Sequence, residues 1–279
     1  MEKYFIFLFM SNFLLSSHWS GQDYSQNNQA QQQWFNDFVQ LEIQGNEKIL
    51  DIGCGDGKNT VEVAKQLTAG GFILGIDKSA DMIEFAKKSL LNESSILADK
   101  ISFQESDVLD FIDTESYDLI VSFSVLHWIK EQKNVFTTVK NCLKKNGRFY
   151  CIFSTNFESS FTQFNLAKNQ TLAFYKNLPI ELGAYTYTKE YYEEGLKQLG
   201  FKAKIKITNK KNVFANKKEF SNWLTQWIFN YFVGVPEYKK KSFLKKFIKN
   251  YKNQEQTFDV NTKQINWYGF IMIIDAIKE

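Results

Sequence analysis

Five short apolar segments between residues 48 and 153 alternate with stretches of helical periodicity, and this alternation restricts the fold more than any other feature. The segments with strand character are 48–52, 72–76, 101–104, 117–123 and 148–153, and those with helical character are 59–67, 79–91 and 134–143. Strands separated by helices of about 10–15 residues form βαβ units with right-handed crossovers. The alternation therefore predicts an α/β fold with a doubly wound, mostly parallel sheet.

The pattern changes after residue 155. Residues 155–184 are polar and aromatic and predict helix or loop, and residues 188–199 predict a helix. Two further strands are predicted at 201–207 and 265–274, with a Lys-rich helical region over 216–253 between them. Together with the first five strands these segments predict a seven-stranded sheet carrying late helical additions.

Glycines at alternate positions directly follow the first predicted strand, in Asp51-Ile52-Gly53-Cys54-Gly55-Asp56-Gly57-Lys58. Glycine allows the backbone to turn tightly and to approach a ligand closely. The amino terminus of the helix that follows favours an anionic group, which includes a carboxylate. This segment predicts a ligand site at the carboxyl end of the first strand.

Acidic residues follow the next two predicted strands. Asp77 lies at the end of the second strand, 20 residues after Gly57, where a carboxylate can accept both ribose hydroxyls. Asp107 follows the third strand, where it can accept from an adenine amino group. Because open α/β sheets bind ligands at the carboxyl edge of their strands, these acids predict a nucleoside site.

The spacing of the glycines distinguishes between nucleoside ligands. A nicotinamide-binding turn has the spacing G-x-G-x-x-G, whereas this turn has G-x-G-x-G preceded by Asp51. An acid beside the turn suits a cationic sulfonium and amino group and repels a pyrophosphate. The P-loop sequence G-x-x-x-x-G-K-[ST] is missing, so a P-loop nucleotide site is excluded.

These segments resemble the motifs of class I S-adenosylmethionine-dependent methyltransferases. LDIGCGDG at 50–57 is similar to the first motif, GIDKSADMI at 75–83 to the ribose-binding motif and SDVLDF at 106–111 to the adenine-binding motif. YDLIVSFSVLHWI at 117–129 resembles the strand that opens onto the substrate. Its triplet Leu-His-Trp narrows the resemblance to the trans-aconitate, juvenile hormone acid and malonyl-carrier-protein methyltransferases, which methylate carboxylates.

The resemblance implies a Rossmann-like methyltransferase fold with a helical lid. We expect an N-terminal arm and helix over 1–43, a cofactor-binding core over 44–155, and lid helices with the terminal strands of the same domain over 156–279. Tyr24 and Gln31 also resemble an amino-terminal motif of the family, whose glutamine lies near the methionine end of the cofactor.

The resemblance also implies which residues hold S-adenosylmethionine. The methionine moiety is expected at the glycine-rich turn, the ribose at the end of the second strand, and the adenine after the third strand. The expected cofactor-binding residues are Gln31, Asp51, Gly53, Cys54, Gly55, Gly57, Asp77, Lys78, Met82, Asp107, Val108, Ser122 and Phe123. No metal site is expected.

His127 and Trp128 are expected to face the substrate as catalytic residues. The histidine can orient a substrate carboxylate, or act as a general base if the acceptor is a hydroxyl or an amine. Packing beside Trp128 is its alternative, purely structural role. A carboxylate acceptor is already ionised at neutral pH and needs no base.

The implied activity is transfer of a methyl group from S-adenosylmethionine to a small organic acid, which becomes a methyl ester. The alternatives are a hydroxyl, amine or carbon acceptor in a small molecule or RNA, and a non-catalytic nucleoside-binding protein. The formal net charge is only +3, so nucleic acid is not an expected partner of the whole chain. The fourth strand ends in Ser122-Phe123-Ser124-Val125 and lacks the N/D-P-P-Y/F motif, which disfavours methylation of base amino groups.

Residues 202–252 contain 14 lysines and only two acids, Glu219 and Glu237. The apolar residues of 239–252 recur at helical spacing, which predicts an amphipathic helix with a basic outer face. We expect a solvated lid helix, with docking of an acidic carrier protein, an anionic substrate funnel or an anionic membrane surface as alternatives. The aromatic residues that precede it, including Trp223 and Trp227, predict a lid core or a wall of an apolar substrate pocket.

The compartment is predicted from the cysteines and the amino terminus. Cys54, Cys142 and Cys151 lack CxxC spacing and predict neither a disulfide framework nor a zinc site. Residues 4–15 are nearly apolar, too short to span a bilayer as a helix and without an A-x-A-like cleavage site. We expect a cytoplasmic protein, with a signal peptide or anchor within residues 1–17 as the alternative.

Overall fold

The computed structural model describes residues 19–114, 116–155 and 162–279. The apolar segment 4–15, and with it every expectation about residues 1–17, lies outside the described residues. The strands are β1 Lys48–Ile52, β2 Phe72–Asp77, β3 Ile101–Glu105, β4 Tyr117–Phe123, β5 Leu143–Thr155, β6 Glu181–Leu182, β7 Phe201–Phe214, β8 Phe232–Val233 and β9 Ile265–Lys278. The helices are α1 Gly21–Asn27, α2 Gln29–Phe38, α3 Lys58–Ala64, α4 Ala80–Leu90, α5 Ser95–Ala98, α6 Gln132–Cys142, α7 Gln163–Phe174, α8 Lys189–Gln198, α9 Lys217–Thr225, α10 Ile228–Tyr231 and α11 Glu237–Lys252, with a 3₁₀ turn at Leu126–Trp128.

Seven strands form one sheet in the order β3-β2-β1-β4-β5-β9-β7, which confirms the predicted α/β fold and its seven-stranded sheet. The first five strands pair in parallel, and β1 lies between β2 and β4. The strand order therefore reverses beside β1, which places the ligand-binding crevice of such a sheet at the carboxyl end of β1. β9 runs antiparallel to both β5 and β7.

The strands are apolar because both faces of the sheet are covered. Leu50 and Ile52 of β1 belong to the core on one face, and Ile49 belongs to the core on the other. On β4, Ile120 lies in the first core, while its neighbours Leu119 and Val121 lie in the second. This alternation explains why the strands read as continuous apolar runs.

The register of the parallel strands brings the predicted site residues to one edge. Ile52 pairs with Ile76, and Asp77 pairs with Glu105, so the residues that follow β1, β2 and β3 leave the sheet at a common level. The backbone N–H groups of Gly53 and Cys54 both donate to the carbonyl of Ile76, at 2.7 and 3.0 Å. These two bonds attach the glycine-rich turn to the end of β2.

The lid is a third apolar cluster, formed by α7, α9, α10, α11 and the start of β9. The helical region predicted over 216–253 is wrong in detail, because it is divided into α9, α10, the short strand β8 and α11. Gly234 has φ +89° and Pro236 caps α11, and these two residues interrupt the helix. A β-carbon at Gly234 would lie 2.3 Å from the carbonyl oxygen of Pro179. The predicted amphipathic helix is confirmed in α11, whose buried residues include Phe243 and Phe247.

β7 and β9 are both longer than predicted, since they pair with each other along 14 residues, from Phe201 with Lys278 to Phe214 with Ile265. β9 therefore extends beyond its pairing with β5, and its first residues, Ile265 and Trp267, pack in the lid. In the described parts of the chain, every helix is too short or too polar to cross a membrane.

Candidate active site

A cavity of about 600 Å³ opens at the carboxyl ends of the central strands. Its size lies within the range of about 300–1,000 Å³ that is usual for small-molecule sites. One side is lined by the glycine-rich turn and by the residues that follow β2 and β3, and the other side by aromatic residues of the lid.

The glycine-rich turn contains two glycines that line this cavity in left-handed conformations. Gly53 has φ +73° and Gly55 has φ +54°. A β-carbon at Gly53 would lie 2.3 Å from a methyl carbon of Val125, so packing excludes any side chain there. At Gly55 a β-carbon would meet only Tyr24, at 4.0 Å, so the backbone at this position faces open space.

Asp77 is fixed at the end of β2 by two backbone hydrogen bonds. Its Oδ2 accepts from the N–H of Gly55 at 3.0 Å, and its Oδ1 accepts from the N–H of Ser79 at 2.9 Å. Burial raises the pKa of this carboxyl, and the two N–H donors act in the opposite direction. Because a carboxylate has about four acceptor positions, both oxygens keep a lone pair for a ligand.

Asp107 follows β3 and orders its own loop. Its Oδ1 accepts from the N–H of Leu109 at 2.9 Å. The neighbouring Val108 is buried and lines the cavity, together with Lys78 and Met82 from the segment after β2. The carboxylates of Asp77 and Asp107 thus border the same half of the cavity.

Asp51 is buried behind the turn rather than in the cavity wall, with 1% of its surface exposed. The hydroxyl of Thr60 donates to its Oδ2 at 2.6 Å, whereas its Oδ1 has no hydrogen-bond partner among the described residues. Burial raises the pKa of Asp51 to about 7, and the nearby Asp77 adds to this rise. A buried carboxylate oxygen without a donor is the arrangement that a cationic group would relieve.

Four of the predicted cofactor residues, namely Asp51, Cys54, Gly57 and Ser122, do not line the cavity. Cys54 is buried in the core. Gly57 begins α3 with φ +81°, and the hydroxyl of Ser122 donates to the carbonyl of Ile52 at 2.9 Å. These residues shape the turn from behind. The predicted residues that do line the cavity are Gln31, Gly53, Gly55, Asp77, Lys78, Met82, Asp107, Val108, Phe123, His127 and Trp128.

Helices α1 and α2 lie over the glycine-rich turn. The N–H of Gly21 donates to Asp81 at 2.6 Å, and the amide of Asn28 donates to Asp56 at 3.0 Å. The pKa of Tyr24 in α1 is raised, mainly because the side chain is buried and to a smaller extent because Asp56 and Asp77 lie nearby. The first two helices therefore cover the part of the cavity that the glycines border.

His127 and Trp128 lie in the 3₁₀ turn after β4, at the junction of the two halves of the cavity. His127 is 8% exposed, and its Nδ1 has no hydrogen-bond partner among the described residues. Burial lowers the pKa of His127 to about 3, so its imidazole is neutral at physiological pH. Its carbonyl accepts from the N–H of Tyr185 at 2.8 Å, which attaches the 3₁₀ turn to the lid.

The opposite wall of the cavity is aromatic, and most of it was not predicted from the sequence. The sequence predicts Trp223 and Trp227 either for a lid core or for such a wall, and both line the cavity. Trp19, Trp34 and Trp267 also line the cavity and were missed. They come from widely separated segments that carry no motif, so a single sequence contains no signal that would group them.

Comparison with known proteins assigns the chain to a family. The family model for a methyltransferase domain matches residues 43–220. The chain is 29% identical over 192 residues to a protein of Invertebrate iridescent virus 6 named as methyltransferase 235L, covering 67% of this chain and 69% of that protein.

Two further relatives are named for their acceptors. A malonyl-[acyl-carrier protein] O-methyltransferase of Paenibacillus sp. is 24% identical over 230 residues, which is 81% of each chain. A trans-aconitate 2-methyltransferase of Rhizobium etli is 28% identical over 109 residues, which is 39% of each chain.

Solved structures share the fold. The YcgJ protein of Bacillus subtilis aligns with a TM-score of 0.63 and 15% identity, covering 90% of this chain and 99% of that one. A phosphoethanolamine N-methyltransferase of Haemonchus contortus, solved with S-adenosyl-L-methionine, aligns with a TM-score of 0.55 and 16% identity, covering 90% of this chain and 52% of that one.

Proposed function

The chain belongs to this methyltransferase family and uses S-adenosylmethionine, and we propose that its acceptor is the carboxylate of a small organic acid, which becomes a methyl ester. The family and the cofactor leave the acceptor open, and the carboxylate is our proposal. It is supported by the chemistry of the cavity and by the two relatives that are named for acids.

The residues at the strand ends fit S-adenosylmethionine. Gly55 leaves open space beside the backbone, Asp77 keeps acceptor positions for ribose hydroxyls, and the Oδ1 of Asp51 lacks a donor. When bound, S-adenosylmethionine supplies a methyl group activated by a sulfonium. The combination of two carboxylates at a nucleoside site and one buried carboxylate behind the turn suits a ligand that carries positive charge.

We assign the cofactor-binding roles as follows. Gly53 and Gly55 allow close approach of the methionine moiety, and Gln31 borders its polar end. Asp51 acts on the amino group through its charge, from behind the turn. Asp77 accepts from the ribose, while Asp107 accepts from the adenine amino group beside Val108. The residues Cys54, Gly57, Lys78, Met82, Ser122 and Phe123 support or border these positions.

The surroundings of His127 are the observation that carries the choice of acceptor. The imidazole is buried, and its Nδ1 has no hydrogen-bond partner among the described residues, so no carboxylate supports it as a base. Burial also lowers its pKa, which makes it a poor proton acceptor. A hydroxyl or an ammonium must lose a proton to accept a methyl group, whereas a carboxylate has already lost it at neutral pH. A site whose histidine cannot readily take a proton therefore suits a carboxylate acceptor.

His127 and Trp128 orient the acceptor in this proposal. A neutral imidazole donates from one nitrogen, and such a donor can hold one carboxylate oxygen while the other faces the methyl group. Because no proton is transferred, catalysis consists of aligning the reacting atoms and keeping water out. The helices α1 and α2 above the turn and the lid on the opposite side enclose these atoms.

We further propose that residues 44–155 bind the cofactor and residues 156–279 select the acceptor within one domain. The long strands β7 and β9 support this division without a separate second domain, since they join the lid to the main sheet. Residues 156–161, at the boundary, lie outside the described residues.

An acidic carrier protein is a second candidate for the form in which the acid arrives. The observation in its favour is the outer face of α11, where Lys241, Lys245 and Lys249 are exposed. Exchange of these three lysines for glutamate should then abolish methylation of a carrier-bound acid and leave methylation of the free acid unchanged. Equal loss with both substrates would refute a carrier dock.

The proposed function is tested by incubating the protein with methyl-labelled S-adenosylmethionine and a panel of small organic acids, followed by mild alkali. We expect label in the product that is released as volatile methanol, because alkali cleaves a methyl ester. Label that is transferred but resists alkali would refute the carboxylate acceptor. A reaction without the protein is the control for label that is transferred without enzyme.

A further inference from the structure

All six tryptophans of the chain line the same cavity. They come from the segment before α1, from α2, from the 3₁₀ turn, from the region of α9 and from β9, and they are Trp19, Trp34, Trp128, Trp223, Trp227 and Trp267. Tryptophans that only fill a core have no reason to converge on one cavity. Their convergence indicates a wall that contacts a ligand.

Five of the six rings form two groups that face the cavity from different elements. Trp19 and Trp128 pack edge to face with centroids 5.5 Å apart. Trp267 lies 5.0 Å from Trp223 and 5.6 Å from Trp227, also at steep angles. Edge-to-face packing fixes the position of each ring, so the wall is rigid before a ligand arrives.

Polar groups on this wall are few. Two of them have no hydrogen-bond partner among the described residues: Nδ1 of His127 and Nε1 of Trp227. By contrast, the indole N–H groups of Trp34 and Trp223 donate to Asn212 and Gln31, at 3.0 and 3.2 Å. A buried indole N–H without an acceptor is costly, and an oxygen of a bound ligand would relieve that cost.

The charges around the cavity oppose a highly charged acceptor. Its lining contains the acids Asp77, Asp107 and Glu131 and the bases Lys78 and Lys130. The one arginine of the chain, Arg148, pairs with Asp275 away from the cavity. Asp77, Asp107 and Lys78 lie in the half that we propose for the cofactor, so Lys130, beside Glu131, is the lining cation that remains for an acceptor. A dicarboxylate or tricarboxylate would lack the several cations that such ligands require.

Resting on the proposed function, we propose that the acceptor is a monocarboxylic acid with a flat, apolar body held against the tryptophan wall, and that Trp227 selects it through its indole N–H. The apolar body accounts for the rings, and a carboxylate oxygen supplies the acceptor that Nε1 of Trp227 lacks. In this proposal the other carboxylate oxygen takes the methyl group from the sulfonium, and it faces the part of the cavity that the glycine-rich turn lines.

The substrate class is tested with the wild-type protein loaded with S-adenosylhomocysteine. Quenching of tryptophan fluorescence is measured against 3-phenylpropanoate and against trans-aconitate, and methyl ester formation from both acids is measured with S-adenosylmethionine. We expect binding and kcat/KM to favour the phenyl acid by at least about tenfold, the effect of burying several methylene equivalents. A preference for the tricarboxylate in both measurements would overturn the inference and leave the proposed function intact.

The same pair of measurements separates the two possible failures. Binding of 3-phenylpropanoate without any alkali-labile product would refute the carboxylate acceptor, and with it the acid class proposed above. Ester formation from trans-aconitate alone would refute only the apolar class. Ester formation from the phenyl acid alone supports both.

The role of Trp227 is tested by Trp227→Phe, which keeps an aromatic ring and removes the N–H. We expect the KM for 3-phenylpropanoate to rise about tenfold, with little change in kcat or in the affinity for S-adenosylhomocysteine, because a donor to a charged group is lost. The matched control is Tyr175→Phe, which removes a hydroxyl that pairs with Ser242 in the lid outside the cavity.

A Trp227→Phe variant whose KM matches that of Tyr175→Phe would overturn the assignment of Trp227. Thermal unfolding of both variants checks that the lid remains folded. If Trp227→Phe does not fold, Trp227→Met, which fills the position with a flexible apolar side chain and also lacks a ring N–H, provides the same comparison against Tyr175→Phe.

Discussion

The two halves of the cavity are built in different ways. The half that we propose for the cofactor is lined mainly by the ends of β1, β2 and β3, within residues 51–108, and there it consists largely of backbone and carboxylates. The acceptor half comes from segments as distant in sequence as Trp19 and Trp267, and it consists of aromatic rings. Local motifs place the first half, whereas the second half exists only once the lid has packed.

This contrast separates what each half can tolerate. In the half proposed for the cofactor, binding depends on the positions of individual N–H groups and oxygens, so the loss of one atom should lower the affinity for the ligand. In the acceptor half the shape of the lid cluster matters, so changes in side-chain volume dominate. Substitutions in the two halves should therefore affect different measured quantities, and the predictions below are ordered from the largest expected effect.

The largest effect is expected in the lid cluster, at Phe247→Ala. Phe247 is fully buried and contacts Phe164, Phe232 and Tyr251, with ring centroids at 5.7, 5.9 and 6.3 Å. Its truncation should lower the free energy of unfolding by about 3–5 kcal/mol, measured by denaturant titration.

The control for this variant is Phe174→Ala, since Phe174 is 62% exposed. It should cost less than about 1 kcal/mol. We expect both variants to unfold in one transition, because β7 and β9 join the lid to the sheet. Two separate unfolding transitions would contradict this expectation, because they would show that the lid unfolds independently of the sheet.

In the cofactor half the largest effect on folding is expected for Gly53→Ala. The left-handed backbone and the contact with Val125 both oppose a β-carbon. We expect a loss of about 3 kcal/mol in unfolding free energy, from backbone strain of about 1–2 kcal/mol and overpacking of similar size.

Gly70→Ala is the matched control, because Gly70 has φ +94° and a β-carbon there would meet nothing within 4 Å. It should show the backbone strain alone, about 1–2 kcal/mol. An equal loss of unfolding free energy in the two variants would mean that the contact with Val125 adds nothing to the requirement for glycine at position 53.

Asp77→Ala should weaken binding of S-adenosylhomocysteine by about 1.5–3 kcal/mol, because a charge-assisted hydrogen-bond partner is lost. Titration calorimetry measures this affinity, and the KM for the acceptor should stay nearly constant. Asp110→Ala, at an exposed position on the same loop as Asp107, should leave the affinity unchanged. An unchanged affinity for the Asp77 variant would contradict the placement of the cofactor.

The smallest predicted effect is a dependence of cofactor affinity on pH. The pKa of Asp51 is raised to about 7 in the free protein, and a nearby ammonium would lower it. Binding then releases a proton, so affinity for S-adenosylhomocysteine should increase about tenfold from pH 6 to pH 8. The Asp51→Asn variant should bind more weakly at pH 8 and lose this dependence. A wild-type affinity that falls as the pH rises would contradict the prediction.

The residues predicted for the cofactor come together in the structure because their motifs are short and local. A strand, a glycine turn and an acid at the next strand end are read from neighbouring residues, and Gly53, Gly55, Asp77 and Asp107 all line the cavity. The side toward which each residue faces was harder to predict. Cys54 lies between two cavity-lining glycines yet faces the core, because successive residues of a tight turn face different directions.

The lid was predicted only in outline. The periodicity of α11 was sufficient to identify an amphipathic helix, but the break at Gly234 and Pro236 was overlooked in a long Lys-rich segment. The tryptophan wall depends on contacts between segments up to about 250 residues apart, which no local pattern encodes.

The position of β9 in the sheet has a consequence for synthesis of the chain. β9 lies between β5 and β7, so β7 cannot join the sheet until residues 265–278 have left the ribosome. At about 5–20 residues per second, the parallel core from β1 to β5 waits several seconds for its partner, with the edge of β5 unpaired. The nascent protein can therefore assemble its nucleoside-binding turn early, while the acceptor pocket forms only after β9 has been synthesised.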